Sequence, residues 1–189
     1  VKKRSQAEAS RLIWTRFSAE ERFAMTKAAH DAVRGKPKSR ETLLRRSATQ
    51  ESRLHNVGPD ELLLKRWLED RGIFPIQQKA IGPYNADLAV HPVAVEVFRG
   101  GFHAFGRHAE RSPKRTSYIL DEGWSLVVVW ITKHHPLTEA CADELVSWIK
   151  LAGSDPTLCG QYRVIWGDGE VAVPLGRDPN DLALVPPLG

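Results

Sequence analysis

Tyr84-Asn85-Ala86-Asp87-Leu88-Ala89-Val90-His91-Pro92-Val93-Ala94-Val95-Glu96-Val97-Phe98-Arg99-Gly100-Gly101-Phe102-His103 is the stretch on which the reading of this chain turns. Two apolar runs flank His91-Pro92, and each carries one carboxylate. Small and β-branched residues dominate both runs, as the buried strands of a hairpin require. An even-length loop centred on His91-Pro92 pairs Val90 with Val93, Ala89 with Ala94, Leu88 with Val95 and Asp87 with Glu96. Directly opposed side chains stand about 4.5–5.5 Å apart at Cβ, where like charges destabilise a sheet. Asp87 and Glu96 are also the only acids between Asp70 and Glu110. A hard divalent cation, which takes carboxylate oxygens, is one reason to put two acids there. The other is structural: one acid on a solvated sheet face, or a one-residue bulge that separates the pair.

Working outward, the punctuation of the chain predicts the neighbouring elements. Gly58-Pro59 opens a helix that runs to Arg71 and stops at Gly72, because proline is pre-organised for the first helical position. Leu62, Leu63, Trp67 and Leu68 are its expected buried stripe, and Glu61 sits in its first turn, where an acid also favours the helix dipole. Strands are predicted at about 74–81, 84–90 and 93–98, with Gly82-Pro83 as a turn. Ser112-Pro113 starts a further helix that ends at Gly123, and the unbroken apolar run Ser125–Ile131 reads as a central buried strand. Thr138 caps a helix to about Leu151, with Ala142, Leu145, Val146 and Ile149 facing inward. Two last strands flank Asp168-Gly169, a strong two-residue hairpin signal. From residue 59 to residue 131 the element order is α-β-β-β-α-β.

The segment from Glu61 to Trp130 resembles the PD-(D/E)xK nuclease superfamily, and most closely its very-short-patch-repair (Vsr-like) branch, which includes homing endonucleases of an E, D, x, H, D pattern. The matching pieces are the helix bearing Glu61, the strand acid Asp87, the segment Val95 to His103, a basic helix from Arg107 to Leu120, and Glu122-Gly123-Trp124-Ser125-Leu126-Val127-Val128-Val129-Trp130. The lysine expected two residues after the glutamate is absent, since Phe98 stands there. The Vsr-like branch also lacks that lysine and relies on histidine. Asp121 matches the last acid of the pattern by order alone. The resemblance implies an α/β fold with a restriction-endonuclease-like αβββαβ core, a mixed central sheet, and a basic helical N-terminal arm. It further implies a Glu61 that points at a metal site, and a backbone carbonyl, here that of Val97, that completes the metal's shell.

The chemistry that follows is phosphodiester hydrolysis. A cation polarises the phosphate and generates or orients hydroxide. Asp87 is the candidate main ligand, Glu96 a second ligand or the group that orients the metal's water, and Val97 a carbonyl ligand. Carboxylates, a carbonyl and water make an oxygen-rich site suited to Mg2+, with Mn2+ as a substitute. His103 is the candidate proton acceptor, since an imidazole titrates near neutral pH. Its place after Gly100-Gly101-Phe102 allows a close backbone approach to phosphate. The alternative for His103 is an ordinary surface histidine. Lys79 is a conceivable stand-in for the missing lysine.

Charge is divided along the chain. The first 57 residues hold fourteen Lys and Arg against six Asp and Glu, so they carry +8, and the rest of the +4 chain carries −4. A basic half of this kind is suited to a polyanion. The expected division is therefore a helical DNA-binding arm at 1–57 and a nuclease domain at 58–189 that ends in a helix and a hairpin. In the arm, Ser18-Ala19-Glu20-Glu21 is a capping box that opens a helix to Arg34, Gly35 is its left-handed stop, and a second helix runs from Arg40 to about Arg53. The stretch from Phe23 to Arg46 is similar to the modular DNA-binding repeats that accompany homing endonucleases. Candidate DNA contacts are Arg34, Lys36, Lys38, Arg40, Arg45, Arg46, Arg99, Arg107, Arg111, Lys114 and Arg115, and the competing reading is a solvated charged surface.

No apolar run reaches the roughly 18 residues of a membrane span, and no apolar leader core follows Lys2-Lys3-Arg4. Cys141 and Cys159, two and far apart, fit neither a disulfide framework nor a zinc site, so a reducing cytoplasm is the expected compartment. The function expected is a magnesium-dependent DNA endonuclease of homing or mobile-element type acting on double-stranded DNA. A monomer, with one site, would nick, and cutting both strands would require a homodimer or two successive events. The competing readings are a catalytically inactive DNA-binding protein on a nuclease scaffold, and a structure- or mismatch-specific repair nuclease.

Overall fold

A computed structural model of the chain describes residues 14–54, 57–100 and 106–182, with the backbone alone at 106–112 and 182. The chain divides into two compact units, Val1–Ser39 and Arg40–Gly189.

The described part of the first unit is built around helix α1 (Ala19–Val33). Its start is the predicted capping box: Glu21 N–H donates to Ser18 Oγ at 3.1 Å, and Ser18 N–H donates to Glu21 Oε2 at 2.8 Å. No side chain of α1 is buried, which agrees with the sparse apolar content of this region. Phe23, 70 % exposed, shows how little of it packs.

The second unit is a mixed α/β structure on one six-stranded sheet. The strands are β1 (Ile76–Ile81), β2 (Tyr84–Val90), β3 (Val93–Arg99), β4 (Ser125–Ile131), β5 (Tyr162–Trp166) and β6 (Val171–Gly176), in that spatial order. β1, β2 and β3 form an antiparallel meander. β3, β4 and β5 are parallel, and β6 returns antiparallel. Parallel neighbours need crossover connections. These are supplied by α4 (Gly106–Asp121) and α5 (Glu139–Ser154). Together with α2 (Arg40–Arg53), α3 (Pro59–Asp70) and the short α6 (Pro179–Leu182), the described residues contain six α-helices.

The core lies on both faces of the sheet. One cluster joins Leu64 and Leu68 of α3 to Leu88, Val95, Val127 and Val129 of the strands and to Leu145 and Ile149 of α5. The other joins Ile119 and Leu120 of α4 to Ala86, Ala94, Phe98, Val128 and Trp130. All seven residues of β4 are buried, as its unbroken apolar run requires of a central strand. Leu68→Ala in this core is expected to lower unfolding stability by about 2–5 kcal/mol, since Leu68 is fully buried. Chemical denaturation checks this, and a change under about 1 kcal/mol contradicts the packing described.

Three details differ from the sequence reading. The stripe of α3 is Leu64 and Leu68, whereas Leu62 and Leu63 are exposed. The helix expected from Ser112-Pro113 begins at Gly106 and carries Pro113 inside it. Proline removes one backbone donor from the ladder, and here the helix continues through it. The helix over 40–53, read as part of the arm, packs on the sheet, so the compact unit begins at Arg40 rather than at Gly58. Glu51 accepts from the Ala80 amide at 2.7 Å, and Ser47 donates to the Gly82 carbonyl at 2.6 Å. α2 thus covers the outer edge of β1, where unpaired backbone groups would otherwise invite another strand. Among the described residues, no helix is long and apolar enough to cross a membrane.

Candidate functional site

The β2–β3 hairpin has the expected register over Val90↔Val93, Ala89↔Ala94 and Leu88↔Val95, and then the ladder ends. Asp87 and Glu96, next in line, do not pair. Asp87 instead turns its carboxylate onto the backbone of β3, and its Oδ2 accepts from the Val97 amide at 2.8 Å. The ladder on the other side is interrupted at the same level. β1 pairs with β2 at Gln77↔Leu88 and at Lys79↔Ala86, with no pair at Gln78 and Asp87. Gln78 has φ +50°, an uncommon conformation for a residue with a side chain. Residues two apart on a strand normally share a face. Ala86 and Leu88 nonetheless lie in different core clusters, so β2 turns over at Asp87. The acid therefore sits where the strands part.

Glu61 reaches this place from α3. Spacings of three and seven put Glu61, Leu64 and Leu68 on one helical stripe. The two leucines are buried with Leu88, the neighbour of Asp87. Gln78 joins the groups: its Nε2 donates to Glu61 Oε2 at 2.9 Å and more weakly to Asp87 Oδ1 at 3.4 Å. Its Oε1 accepts from Gln50 of α2 at 2.6 Å. Glu96 is 3 % exposed. It is ion-paired with Arg115 of α4, whose Nη2 also donates to the Asn85 carbonyl.

The electrostatics of the three acids agree in direction. Burial, followed by the charge of Asp87, pushes Glu61 up to about 7. Burial pushes Glu96 up to about 8, with Arg115 opposing and Asp87 adding to the rise. Burial raises Asp87 as well, against the Val97 amide and Arg115. Among the described residues, three carboxylates thus share a desolvated place with one guanidinium, a charge balance that a cation would correct. The donors available are hard oxygens. In an extended strand the N–H and C=O of one residue leave on the same side. The Val97 carbonyl is therefore directed, like its amide, at the stretch where β2 has parted. This donor set fits an oxygen-preferring divalent ion.

Glu61, Asp87 and Glu96 do not form a finished cage. Among the described residues, the one group of three whose ligand atoms all lie within 4.8 Å of one another is His135, Asp168 and Glu170. Sequence reading gave these residues no site role, and 33 residues of chain separate His135 from the turn at Asp168. His135 Nδ1 meets Asp168 Oδ2 at 2.8 Å and Glu170 Oε2 at 4.0 Å, and its ring stacks on Trp166. This contact pins the β5–β6 hairpin to the loop after β4.

The remaining candidates are scattered. His103 lies outside the described residues, as do the side chains of Arg107 and Arg111. Arg99 is paired with Asp60. Arg115, expected as a DNA contact on the exposed helix face, is turned inward to Glu96, because that buried carboxylate needs a partner. Lys79 is paired with Glu51 at 3.2 Å and does not substitute for the missing lysine. Phe98, at the lysine's place, is a core residue set edge-on against Trp130. Arg34 pairs with Asp31, and Arg45 with Glu41. Lys36, Lys38, Arg40, Arg46 and Lys114 are exposed.

Comparison of the chain with protein-family models, with curated proteins and with solved structures finds no match.

Proposed function

We propose that this protein is a magnesium-dependent endonuclease of double-stranded DNA, of homing or mobile-element type. The observation that carries the reading is the meeting of Glu61, Asp87 and Glu96 where β2 leaves β3. There all three carboxyls are raised, and the Val97 backbone faces the opening. Asp87, Glu96 and the Val97 carbonyl would hold Mg2+, or Mn2+ in its place. The ion supplies Lewis acidity toward the phosphate and a water of lowered pKa. Asp87 is held in position by the Val97 amide and by Gln78. Glu61, tied through Gln78 to Asp87, is placed to take the proton of the attacking water. His103 is the second candidate for that proton. In the step, the water oxygen bonds to phosphorus, the P–O bond to the leaving strand breaks, and the departing oxygen takes a proton.

The exposed cations of the arm and of α2 would hold the DNA backbone, each neutralised phosphate releasing counterions. A supercoiled plasmid tests the reading. Nicked or linear product is expected in magnesium and none in EDTA. Binding without cleavage at any magnesium or manganese concentration would select the inactive DNA-binding alternative. That alternative has one observation of its own: Arg115 already gives Glu96 a positive partner.

A further inference from the structure

A groove of about 410 Å³, half polar and half apolar in its lining, with Leu43 and Pro83 among the apolar residues, runs beside the acidic site, between α2, the β1–β2 turn and α4. Arg46, Ser47 and Gln50 line it from α2, Tyr84 and Asn85 from β2, and Arg115 from α4. Among the described residues, two guanidiniums line it and no carboxylate does. Arg46 is exposed and has no partner among the described residues. A guanidinium has five N–H donors, and the bonds of Arg115 to Asn85 and Glu96 are both made by Nη2. Its Nε and Nη1 are without partners among the described residues. The groove also shares contacts with the acids on two sides: Arg115 touches Glu96, and Gln50 holds the Gln78 that touches Glu61 and Asp87.

We propose that this groove seats a backbone phosphate of the bound DNA strand, adjacent to the phosphate presented to the acids, with Arg46 and Arg115 as its donors. The inference rests on the nuclease reading for the identity of the strand, but not on catalysis. Paired guanidinium donors suit phosphate oxygens. Because Arg115 contacts Glu96 and the groove together, a phosphate held there fixes where the next one falls along the strand. Arg115 is then a positioning residue. Ser47 is bonded to the Leu44 and Gly82 carbonyls and serves the packing of α2 instead.

Arg46 is the residue to test, since its exposure makes its loss harmless to folding, whereas loss of Arg115 would strand a buried carboxylate. Binding of a labelled DNA duplex to the full chain is measured in EDTA over a salt series. Arg46→Ala is expected to weaken binding to all sequences alike, and to flatten the slope of log affinity against log salt by about one. Arg46→Lys should restore the slope, and Lys150→Ala, on α5 across the sheet, should leave it unchanged. A wild-type chain that binds DNA but does not cut it in magnesium, with the slope flattened in Arg46→Ala, supports the groove without the nuclease. Cleavage together with an unaltered slope in Arg46→Ala overturns the groove and leaves the nuclease standing. Failure of the wild-type chain to bind DNA overturns both.

Discussion

Asp87→Asn is expected to yield a folded protein that no longer cuts supercoiled plasmid in magnesium. The substitution keeps the size of the side chain and an oxygen that can accept from the Val97 amide. It removes the charge that would make Asp87 the main ligand. A metal that polarises a phosphoryl oxygen contributes several kcal/mol to the transition state, so the loss should be about a thousandfold or more in rate. A second readout separates loss of chemistry from loss of fold. In EDTA at pH 8, the variant should melt no lower than the parent, because one of three mutually repelling carboxylates is gone. Wild-type cutting by Asp87→Asn would remove the acid from the site.

The metal-free protein is expected to lose stability as pH rises from about 5 to 8.5. Glu61 and Glu96 have folded values near 7 and 8 against 4.5 when unfolded. Between those limits the folded protein keeps protons that the unfolded chain has released. Stability then falls with pH, and it is greatest near the lower end of the window. Glu61 is half-buried, so most of the effect belongs to Glu96, offset in part by Arg115. A few kcal/mol lost corresponds to a melting temperature lower by roughly 5–10 °C for a chain of this size. Millimolar magnesium should recover most of it at pH 8.5, since a ligand of the native state adds stability in proportion to its occupancy. Thermal melts at both pH values, with and without the ion, check this. A flat or rising profile in EDTA would show that the acids are better compensated than their burial indicates.

Much of the fold was legible because its signals are local. The capping box at Ser18 and Glu21, the glycine stop at Gly35, the apolar run of β4 and the Asp168-Gly169 turn each depend on a few adjacent residues. The register of the β2–β3 hairpin was legible for three pairs and failed at the fourth. Alternation assumes a flat ladder, and β2 turns over at Asp87. That failure marks the place where the candidate site lies. The face of α3 was misjudged because several leucines crowd one short helix, and only the partner sheet decides which are buried. The pairing of Arg115 with Glu96 was not legible for a related reason: its inward turn answers a carboxylate 19 residues earlier. Gln78 was passed over, since a glutamine in a strand carries no sequence signal until its amide is seen between Glu61, Asp87 and Gln50.

That one amide has a thermodynamic corollary. Its two ends grip different parts of the molecule, the oxygen holding α2 through Gln50 and the nitrogen steadying the acid pair. Proton uptake at Glu61 and the seating of α2 on the sheet edge are therefore linked functions. Any load taken up by α2 must alter the proton affinity of the carboxyl, and by reciprocity a change of pH must alter how firmly that helix is held.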